Sequence, residues 1–566
     1  MATDLVITKN FFFKLMAFVL FGNSLMAQAV VTTLHDLVGT EGRLPHGQLI
    51  QGRDGNLYGT TSSSSTIVGN AFRITPTGAY KVMHAFIPKA GSLPPSPSVL
   101  MLGLDGNFYG TTTNGNAAGG AVFKMTPAGV VTVLHQFGAV LNDGYSIDNG
   151  ILRPTPPVQT ADGTLYGTTT SGGLNGVGIV YKLTTTGIYS IIHHFVFGAT
   201  EGSRPSASLV VGNDGNLYGT STIGGQPTGT SGTVFRITPS GIVKTLYNFN
   251  AFDDGGYQPQ APLVKGVDGN FYGTTFGRAD LSAQGNIFKI TPAGVYTNLH
   301  SLDFFHDVTD GAYPNAGLVE ASDGFIYGVN SRGGVAPGLF ANDAGVVFNI
   351  TKLGLYDVTH TFDKAIDGAR PLYSLVQHTN GKLYGTTQFS KTGLVPAGNG
   401  SVFSLDVGAR PFALAQPSSG KAGGTIGLFG NFTGVTSITF NGIPATSAGV
   451  GNTYRTVTIP AGAATGVIKI NKPTGSVSGL NTFLVRPVFT SFSPASGKVG
   501  TVVALTGKSL SQTTAVTFSN GKKAVFTLVS DNQLNVNVPV GVVTGKISIT
   551  TKGGTVASAT NFSLIP

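Results

Sequence analysis

A short turn motif, [Asp or Asn]-Gly-x-[aromatic or aliphatic]-Tyr-Gly, recurs seven times and constrains the fold more than any other feature of the chain. Successive copies lie 51 to 57 residues apart. Repeats of about 50 residues are typical of kelch-like propeller blades rather than of helical solenoids. The motif tyrosines are Tyr58, Tyr109, Tyr166, Tyr218, Tyr272, Tyr327 and Tyr384.

Each repeat unit divides into four short strands, named a to d in chain order. In the fourth unit the apolar segments 207–211, 217–220, 233–237 and 242–249 are separated by tight turns and a Gly-rich loop. Short runs bounded by Gly, Asn, Asp and Pro predict strands. No later segment has helical periodicity, so we expect an all-β protein.

The two ends of the repeat array indicate how it is completed. The seventh unit stops after strand c at 401–405, whereas residues 31–37 match strand d of the second unit at 131–137. A strand d taken from the N-terminus would complete the last blade and remove two exposed sheet edges. We therefore predict a seven-bladed β-propeller over residues 28–410, closed by the N-terminal strand, with an open β-solenoid as the alternative.

The unit resembles the GloVer-type tandem repeat of exported bacterial proteins. The resemblance covers about residues 30–406 and depends on three spaced blocks, D-G-x-x-Y-G-T-T, G-x-V-F-K-I-T-P-x-G and L-H-x-F. It implies a repeat domain without a defined biochemical activity. Proteins of this type commonly carry a C-terminal sorting anchor, and because we recognise none here, no sorting-signal attachment is predicted.

The tail after Arg410 contains a second repeat, in which Pro417-Ser-Ser-Gly-Lys returns 77 residues later as Pro494-Ala-Ser-Gly-Lys. Alternating apolar strands predict two immunoglobulin-like β-sandwiches, 411–486 and 487–566, and both resemble IPT/TIG domains. The tail carries eleven basic residues against one acid, Asp531. We interpret it as a spacer and attachment to an anionic envelope polymer, and expect its deletion to leave the propeller stable.

The N-terminus has the pattern of a secretory signal peptide, residues 1–27. Lys9 and Lys14 flank the apolar run 15–21, and small residues up to Ala29 permit cleavage, with the cut predicted after Ala27. An uncleaved membrane anchor is the alternative, but the run is short for a bilayer. We expect a secreted or cell-surface bacterial protein with no integral membrane segment after cleavage and no nucleic-acid partner.

Histidine and acidic residues recur once per unit, which is typical of a scaffold. We interpret the strand-d histidines as side chains that bond neighbouring backbone, and the [Asp or Glu]-Gly pairs of the d–a loops as turn formers. No metal, cofactor or catalytic residue is predicted. The histidines are His35, His84, His135, His193, His300 and His360, with Tyr247 in the fourth unit. The acidic pairs begin at Glu41, Asp143, Glu201, Asp254, Asp310 and Asp367.

The d–a and b–c loops are long and variable, whereas the a–b and c–d turns are short, so we expect function on the face that carries the long loops. Side chains just before the loop prolines, with an aromatic pair in the sixth loop, suit stacking on a polar or carbohydrate ligand. These candidate ligand-binding residues are Arg43, Tyr145, Arg204, Tyr257, Phe304, Phe305, Tyr313 and Arg370.

The sequence favours a non-enzymatic binding protein that presents this face to a glycan or a protein partner. One alternative is a carbohydrate-active propeller enzyme, a hydrolase or lyase, with an unrecognised acid pair that could include Asp310 or Asp367. The other is a structural adhesin or matrix component.

Overall fold

The computed structural model describes residues 29–62, 68–87, 96–113, 119–145, 155–197, 201–225, 231–250, 256–277, 285–302, 309–334, 344–391, 399–449 and 451–566. The predicted signal peptide, 1–27, lies outside these ranges. The described chain is all-β, and its helical segments are the 3-10 turns Gly39–Glu41 and Ser519–Gly521. No helix in the described ranges is long and apolar enough to cross a membrane.

Each motif tyrosine lies in strand b of a separate antiparallel sheet with the order a-b-c-d, so the repeat region is propeller-like. The a strands are Ile50–Gln51, Met101–Leu102, Val158–Gln159, Val210–Val211, Val264–Lys265, Val319–Glu320 and Val376–Gln377. The b strands are Leu57–Ser62, Phe108–Thr113, Leu165–Thr169, Leu217–Ser221, Phe271–Thr275, Ile326–Asn330 and Leu383–Phe389. The c strands are Asn70–Ile74, Ala121–Met125, Ile179–Leu183, Thr233–Ile237, Asn286–Ile290, Val346–Ile350 and Ser401–Asp406. The d strands of units one to six are Tyr80–Ala85, Val131–Gln136, Tyr189–His194, Val243–Asn248, Tyr296–Ser301 and Tyr356–Thr361.

Short additional strands lie in the loops before or after these sheets. They are Arg43–Pro45, Ser96–Pro97, Gly144–Tyr145, Ser171–Gly172 and Ala369–Pro371. All of them pair antiparallel with a strand b or, for Gly144–Tyr145, with Ser171–Gly172. They bring the d–a loop of a unit against its b–c loop.

The N-terminal strand Val30–Asp36 occupies the strand-d position of the seventh sheet. It pairs antiparallel with Ser401–Asp406, from Val30 opposite Asp406 to Asp36 opposite Ser401. Its register shifts between Thr33 and His35, and the strand pairs c–d of the other units shift at the equivalent point. The N-terminal strand therefore lies in the seventh sheet, as its sequence similarity to strand d predicted.

The turn motif is explained by contacts inside each unit. In the first unit the Tyr58 hydroxyl donates to Asp54 Oδ2 over 2.9 Å, and the same carboxylate accepts the Asn56 backbone N–H of the a–b turn. A Cβ at Gly59, which follows the tyrosine, would lie 2.5 Å from the ring of Phe72 on strand c. The motif thus combines a carboxylate-capped turn with a position where only glycine fits.

Neighbouring sheets meet through the glycine of the c–d turn. A Cβ at Gly129 would lie 2.2 Å from the carbonyl oxygen of Met83 on strand d of the first unit. Gly78, in the first unit, makes the equivalent approach of 2.6 Å to the carbonyl oxygen of Leu34 on the N-terminal strand. Both glycines have positive φ, so this contact sets backbone against backbone and admits no side chain.

The tail forms two modules, each with two main sheets around a separate apolar core. Most strand pairs are antiparallel, but Ser419–Lys421 pairs parallel with Gly475–Arg486, and Ser496–Gly497 forms a separate parallel pair with Ser563–Leu564. The first sheet of the first module contains Leu414–Gln416, Thr425–Phe429, Ser447–Ala448 and Tyr454–Thr458. Its second sheet contains Ser419–Lys421, Ser437–Phe440, Ile443–Ala445, Gly466–Lys472 and Gly475–Arg486. The second module contains Val488–Ser493, Ser496–Gly497, Val502–Lys508, Thr513–Thr517, Lys523–Ala524, Phe526–Ser530, Gln533–Asn537, Ser548–Thr551, Gly554–Ala557 and Ser563–Leu564.

The first tail module packs directly on the repeat region. Phe429 is buried in a cluster with Tyr58 and Phe108 of units one and two, and Tyr454 packs against the same cluster. The Thr453 hydroxyl also donates to the Arg53 carbonyl over 3.0 Å. The packing of the first module opposes the expectation that the tail can be deleted at no cost, because its removal would expose this shared core.

Candidate functional site

The loops that carry the candidate residues place a non-glycine residue in the left-handed region directly before the loop proline. Arg204, Tyr313 and Arg370 have φ of 53°, 59° and 56°, and Leu44 and Gln258 have φ of 49° at the equivalent positions of units one and five. For L-residues other than glycine this conformation costs about 1–2 kcal/mol. Five equivalent positions therefore retain a side chain in a backbone conformation that glycine would adopt at a lower free energy.

A backbone hydrogen bond to the preceding unit fixes four of these five loops, those of Leu44, Arg204, Gln258 and Arg370. The Arg204 N–H donates to the Val177 carbonyl over 2.9 Å, and the Arg370 N–H donates to the Ala344 carbonyl over 2.7 Å. Leu44 donates in the same way to Asn399 over 2.9 Å. The side chains at these positions are thus attached to a rigid backbone rather than to a free loop.

Arg43 and Tyr257 do not belong to this pre-proline position, which is a correction to the sequence analysis. Each lies one residue earlier, where its backbone pairs across to the b–c loop, Arg43 with Ser62 and Tyr257 with Gly277. Ser203 takes this place in the fourth unit. The residue that directly precedes the loop proline has the left-handed backbone, and in units one and five this residue is Leu44 or Gln258.

The structure joins the aromatic and arginine side chains of units five to seven into three contacts. The rings of Phe276 and Tyr313 have centroids 5.2 Å apart, and the Arg332 guanidinium carbon lies 5.4 Å from the Tyr313 ring. The Arg370 guanidinium carbon lies 5.5 Å from the Phe389 ring. We call Tyr257, Phe276, Tyr313, Arg332, Arg370 and Phe389 the loop-face cluster.

Three members of the cluster were missed by the sequence analysis. Phe276, Arg332 and Phe389 begin the b–c loops, opposite the d–a loops that carried the predicted residues. Ala312 pairs with Arg332, and Ala369 pairs with Phe389. The signal that could have identified these three residues is the antiparallel pairing of the d–a loop with the b–c loop of the same unit. This pairing places residues of the two loops side by side.

The remaining candidate residues lie apart from the cluster or outside the described chain. Arg204 is exposed on the loop of the fourth unit. Tyr145 pairs through its backbone with Ser171. Phe304 and Phe305 lie outside the described residues.

The repeated histidines and acids, interpreted separately from the sequence, form pairs. His135 Nε2 lies 2.8 Å from Asp143 Oδ2, and the two side chains are 9% and 1% exposed. The predicted partner, neighbouring backbone, is thus wrong for the five histidines whose Nε2 atom faces a loop carboxylate, whereas His84 bonds the Gly129 backbone as predicted. The equivalent distances are 2.8 Å for His35–Glu41, 3.2 Å for His193–Glu201, 3.1 Å for His300–Asp310 and 2.6 Å for His360–Asp367.

Glu41, Asp143 and Asp367 also accept hydrogen bonds from backbone N–H groups of their own loops, as predicted for turn formers. Asp143 Oδ2 accepts the Gly138 N–H over 3.1 Å, and the Tyr189 hydroxyl of the next unit donates to Oδ1 over 2.6 Å. Burial opposes ionisation of Asp143, but the hydrogen bonds from His135 and Tyr189 outweigh it and hold the pKa below its ordinary value. The Asp143 carboxylate therefore joins strand d of units two and three through its hydrogen bonds with His135 and Tyr189.

These pairs lack the further groups that a metal site or a nucleophilic site requires. In the part of the chain that the structure describes, no three His, Asp or Glu side chains are grouped to hold a metal ion. Asp310 and Asp367, the acids considered for a glycosidase pair, are each bonded to a strand-d histidine.

Two family models match the chain. The model of the Gloeobacter/Verrucomicrobia repeat matches residues 19–155 and 145–340, and the IPT/TIG domain model matches residues 487–564. No curated protein matches the sequence significantly.

Solved structures resemble the chain at low identity. The surface glycan-binding protein PbSGBP-B from Prevotella bryantii is 16% identical with a TM-score of 0.21, and the match covers 26% of this chain and 38% of that one. The PQQ-bound aldose sugar dehydrogenase from Streptomyces coelicolor is 15% identical with a TM-score of 0.35, over 67% and 98%. A copper-bound fungal alcohol oxidase of the AA5 family is 12% identical with a TM-score of 0.38, over 94% and 99%. The chain thus spans little more than a third of the first protein, and none of these scores establishes a common fold.

Proposed function

The chain belongs to the Gloeobacter/Verrucomicrobia repeat family, and we propose that it is a secreted or cell-surface protein that binds a glycan without transforming it. In this proposal residues 28–410 form a seven-bladed propeller closed by the N-terminal strand, after removal of residues 1–27. The modules 411–486 and 487–566 hold the propeller away from the cell surface.

The observation that carries the proposal is the position of Tyr313. Its backbone is left-handed, φ 59°, and its ring contacts both Phe276 and Arg332. The left-handed backbone recurs at five equivalent positions, so Tyr313 is distinguished by the contacts of its ring with Phe276 and Arg332. The half-buried ring is thereby fixed in orientation at the entrance of the long loops.

The chemistry of the cluster suits a saccharide. Aromatic faces pack on the apolar C–H face of a sugar ring, and guanidinium groups donate paired hydrogen bonds to hydroxyl or carboxylate oxygens. Tyr257 and Gln258 add a phenol and an amide, with Gln258 Nε2 donating to the Tyr257 hydroxyl over 2.8 Å. A few oriented polar groups beside aromatic surface are the usual content of a small-ligand site.

A glycan array with the full chain tests the proposal. We expect saturable binding to at least one glycan class, weakened about tenfold or more by Tyr313→Ala and by Arg370→Ala. Arg455→Ala is the matched control, because Arg455 also lies on an aromatic ring, 5.1 Å from Phe432, but in the tail.

Two results would contradict the proposal. Binding that is equally strong in Tyr313→Ala, Arg370→Ala and the unaltered chain would remove the loop-face cluster as the site. Release of a smaller saccharide from any bound glycan would identify an enzyme and would return Asp310 and Asp367 to consideration.

A further inference from the structure

A polar groove of about 400 Å³ lies on the short-turn face, at the opposite end of strand b from the loop-face cluster. It is formed by the a–b turns of units one and two beside the first tail module. Its charged and polar lining comes from Arg53, Arg73, Asp54, Asp105 and Asn107. The proposed glycan-binding function makes no use of this groove.

The groove departs from the repeat at one position. Arg53 precedes the turn aspartate of the first unit, whereas the other six units have no charged residue there: Leu104, Ala161, Asn213, Val267, Ser322 and Thr379. Arg73, opposite Tyr58 on strand c, supplies the second guanidinium. A residue shared by all units supports the scaffold, whereas a pair of arginines found in one unit alone indicates a local role.

The acceptor oxygens of the groove are already used. Asp54 Oδ2 accepts from Asn56 Nδ2 over 2.6 Å and from the Tyr58 hydroxyl. Asp105 has the equivalent bonds from Asn107 and the Tyr109 hydroxyl. Burial opposes ionisation of Asp105, but these hydrogen bonds outweigh it and hold its pKa below the ordinary value.

The donors of the groove are not used to the same extent. Arg53 Nη2 donates to the Leu104 carbonyl over 2.7 Å, while the nearest contact of Arg73 with an acid is 3.8 Å, to Asp54. The Nε atoms of both arginines are buried without a hydrogen-bond partner. Buried unbonded donors are rare in folded proteins and call for an explanation.

Packing holds Arg53 in place. Its guanidinium carbon lies 4.6 Å from the Tyr454 ring of the first tail module. A Cβ at Gly106 would lie 2.7 Å from Arg53 Nη1, so the guanidinium packs closely against the backbone of the neighbouring turn. The arginine is therefore pre-oriented at the edge of the groove.

We propose that the groove binds an oxyanion, a carboxylate or phosphate group, between the guanidiniums of Arg53 and Arg73. Saturated carboxylates beside incompletely bonded guanidiniums leave a site that donates and does not accept. Planar guanidinium forks match the geometry of carboxylate and phosphate. The site is independent of the loop-face cluster.

Calorimetric titration of the full chain tests the site, with inorganic phosphate in one arm and oligogalacturonate in the other. We expect saturable binding in at least one arm, weakened about tenfold by Arg73→Gln. Arg236→Gln is the matched control, because Arg236 lies opposite Tyr218 in the fourth unit, where Asn213 replaces the first arginine. Tyr313→Ala should leave this binding unchanged, which separates it from the proposed function.

The two arms identify the source of the oxyanion. Binding of phosphate assigns a phosphate ligand, and binding of oligogalacturonate alone assigns a carboxylated saccharide. The absence of binding in both arms, or equal weakening by Arg73→Gln and Arg236→Gln, would overturn the proposal. If Arg73→Gln unfolds at the same temperature as the unaltered chain, a loss of binding is not caused by a loss of fold.

Discussion

The ring of His135 stacks on the ring of Tyr189 from the next unit, with 3.6 Å between centroids and 5° between planes. Both side chains also bond Asp143. A similar stack joins His300 to Tyr356, at 4.2 Å and 4°. Stacking and hydrogen bonding at one position link consecutive sheets through their side chains.

Asp143→Asn tests the strength of this link. The substitution removes the charge that His135, Tyr189 and two backbone N–H groups share in a buried place, so we expect a loss of about 2 kcal/mol. Hydrogen exchange of units two and three should show it as faster opening. His84→Asn is the control, because residues 86–96 after this histidine contain no acid, and a similar loss there would refute a special role for the carboxylate.

The stability that Asp143 contributes should depend on pH in one direction. Its folded pKa lies below the ordinary 3.8, so the contribution is complete above that value and is lost as the pH falls through the folded pKa. We expect the stability difference between the unaltered chain and Asp143→Asn to be constant above about pH 5 and to shrink as the pH falls from about 4 to about 2. A difference that stays constant in denaturant titrations across this range would contradict the assignment.

Arg204→Gly should stabilise the fold while removing a side chain from the loop face. Glycine adopts φ of 53° without the steric cost that arginine incurs, and the exposed side chain loses little packing. We expect a gain of about 1 kcal/mol in thermal or denaturant unfolding. Ser203→Gly, one residue earlier and outside the left-handed region, should give no gain, and equal effects would show that backbone strain is not the cause.

The first tail module should be required for the stability of units one and two. Removal of residues 411–566 exposes the apolar surface around Tyr58 and Phe108, so we expect increased hydrogen exchange in these units. Removal of residues 487–566 alone is the control, because it retains Phe429 and Tyr454. Equal hydrogen exchange of units one and two in both truncated chains would show that the shared core does not stabilise these units.

Much of the repeat architecture follows from local patterns. The seven turn motifs place strand b, and the similarity of residues 31–37 to strand d predicts the partner of Ser401–Asp406. These features depend on short-range turn chemistry and alternating burial, which a single sequence displays.

The contacts that the sequence did not reveal are long-range. Nothing in the segments around Phe429 or Tyr454 indicates that they pack on units one and two, because their apolar character equally suits a module core. The loop-face cluster forms through pairing between two loops, which the sequence does not display. The sequence showed the histidines and the acids as two separate repeated patterns, and only the structure shows that they bond each other. Repetition indicates which residues matter to the scaffold, but it does not say which of them touch.

The pairing of Val30–Asp36 with Ser401–Asp406 sets an order of events during synthesis. The first strand leaves the ribosome with 364 residues between its end and the start of its partner. Six complete sheets can assemble before the seventh receives its outer strand. The seventh sheet is thus completed by a strand that is synthesised before all seven repeats. In a truncated product that ends before residue 401, this strand would have no partner strand.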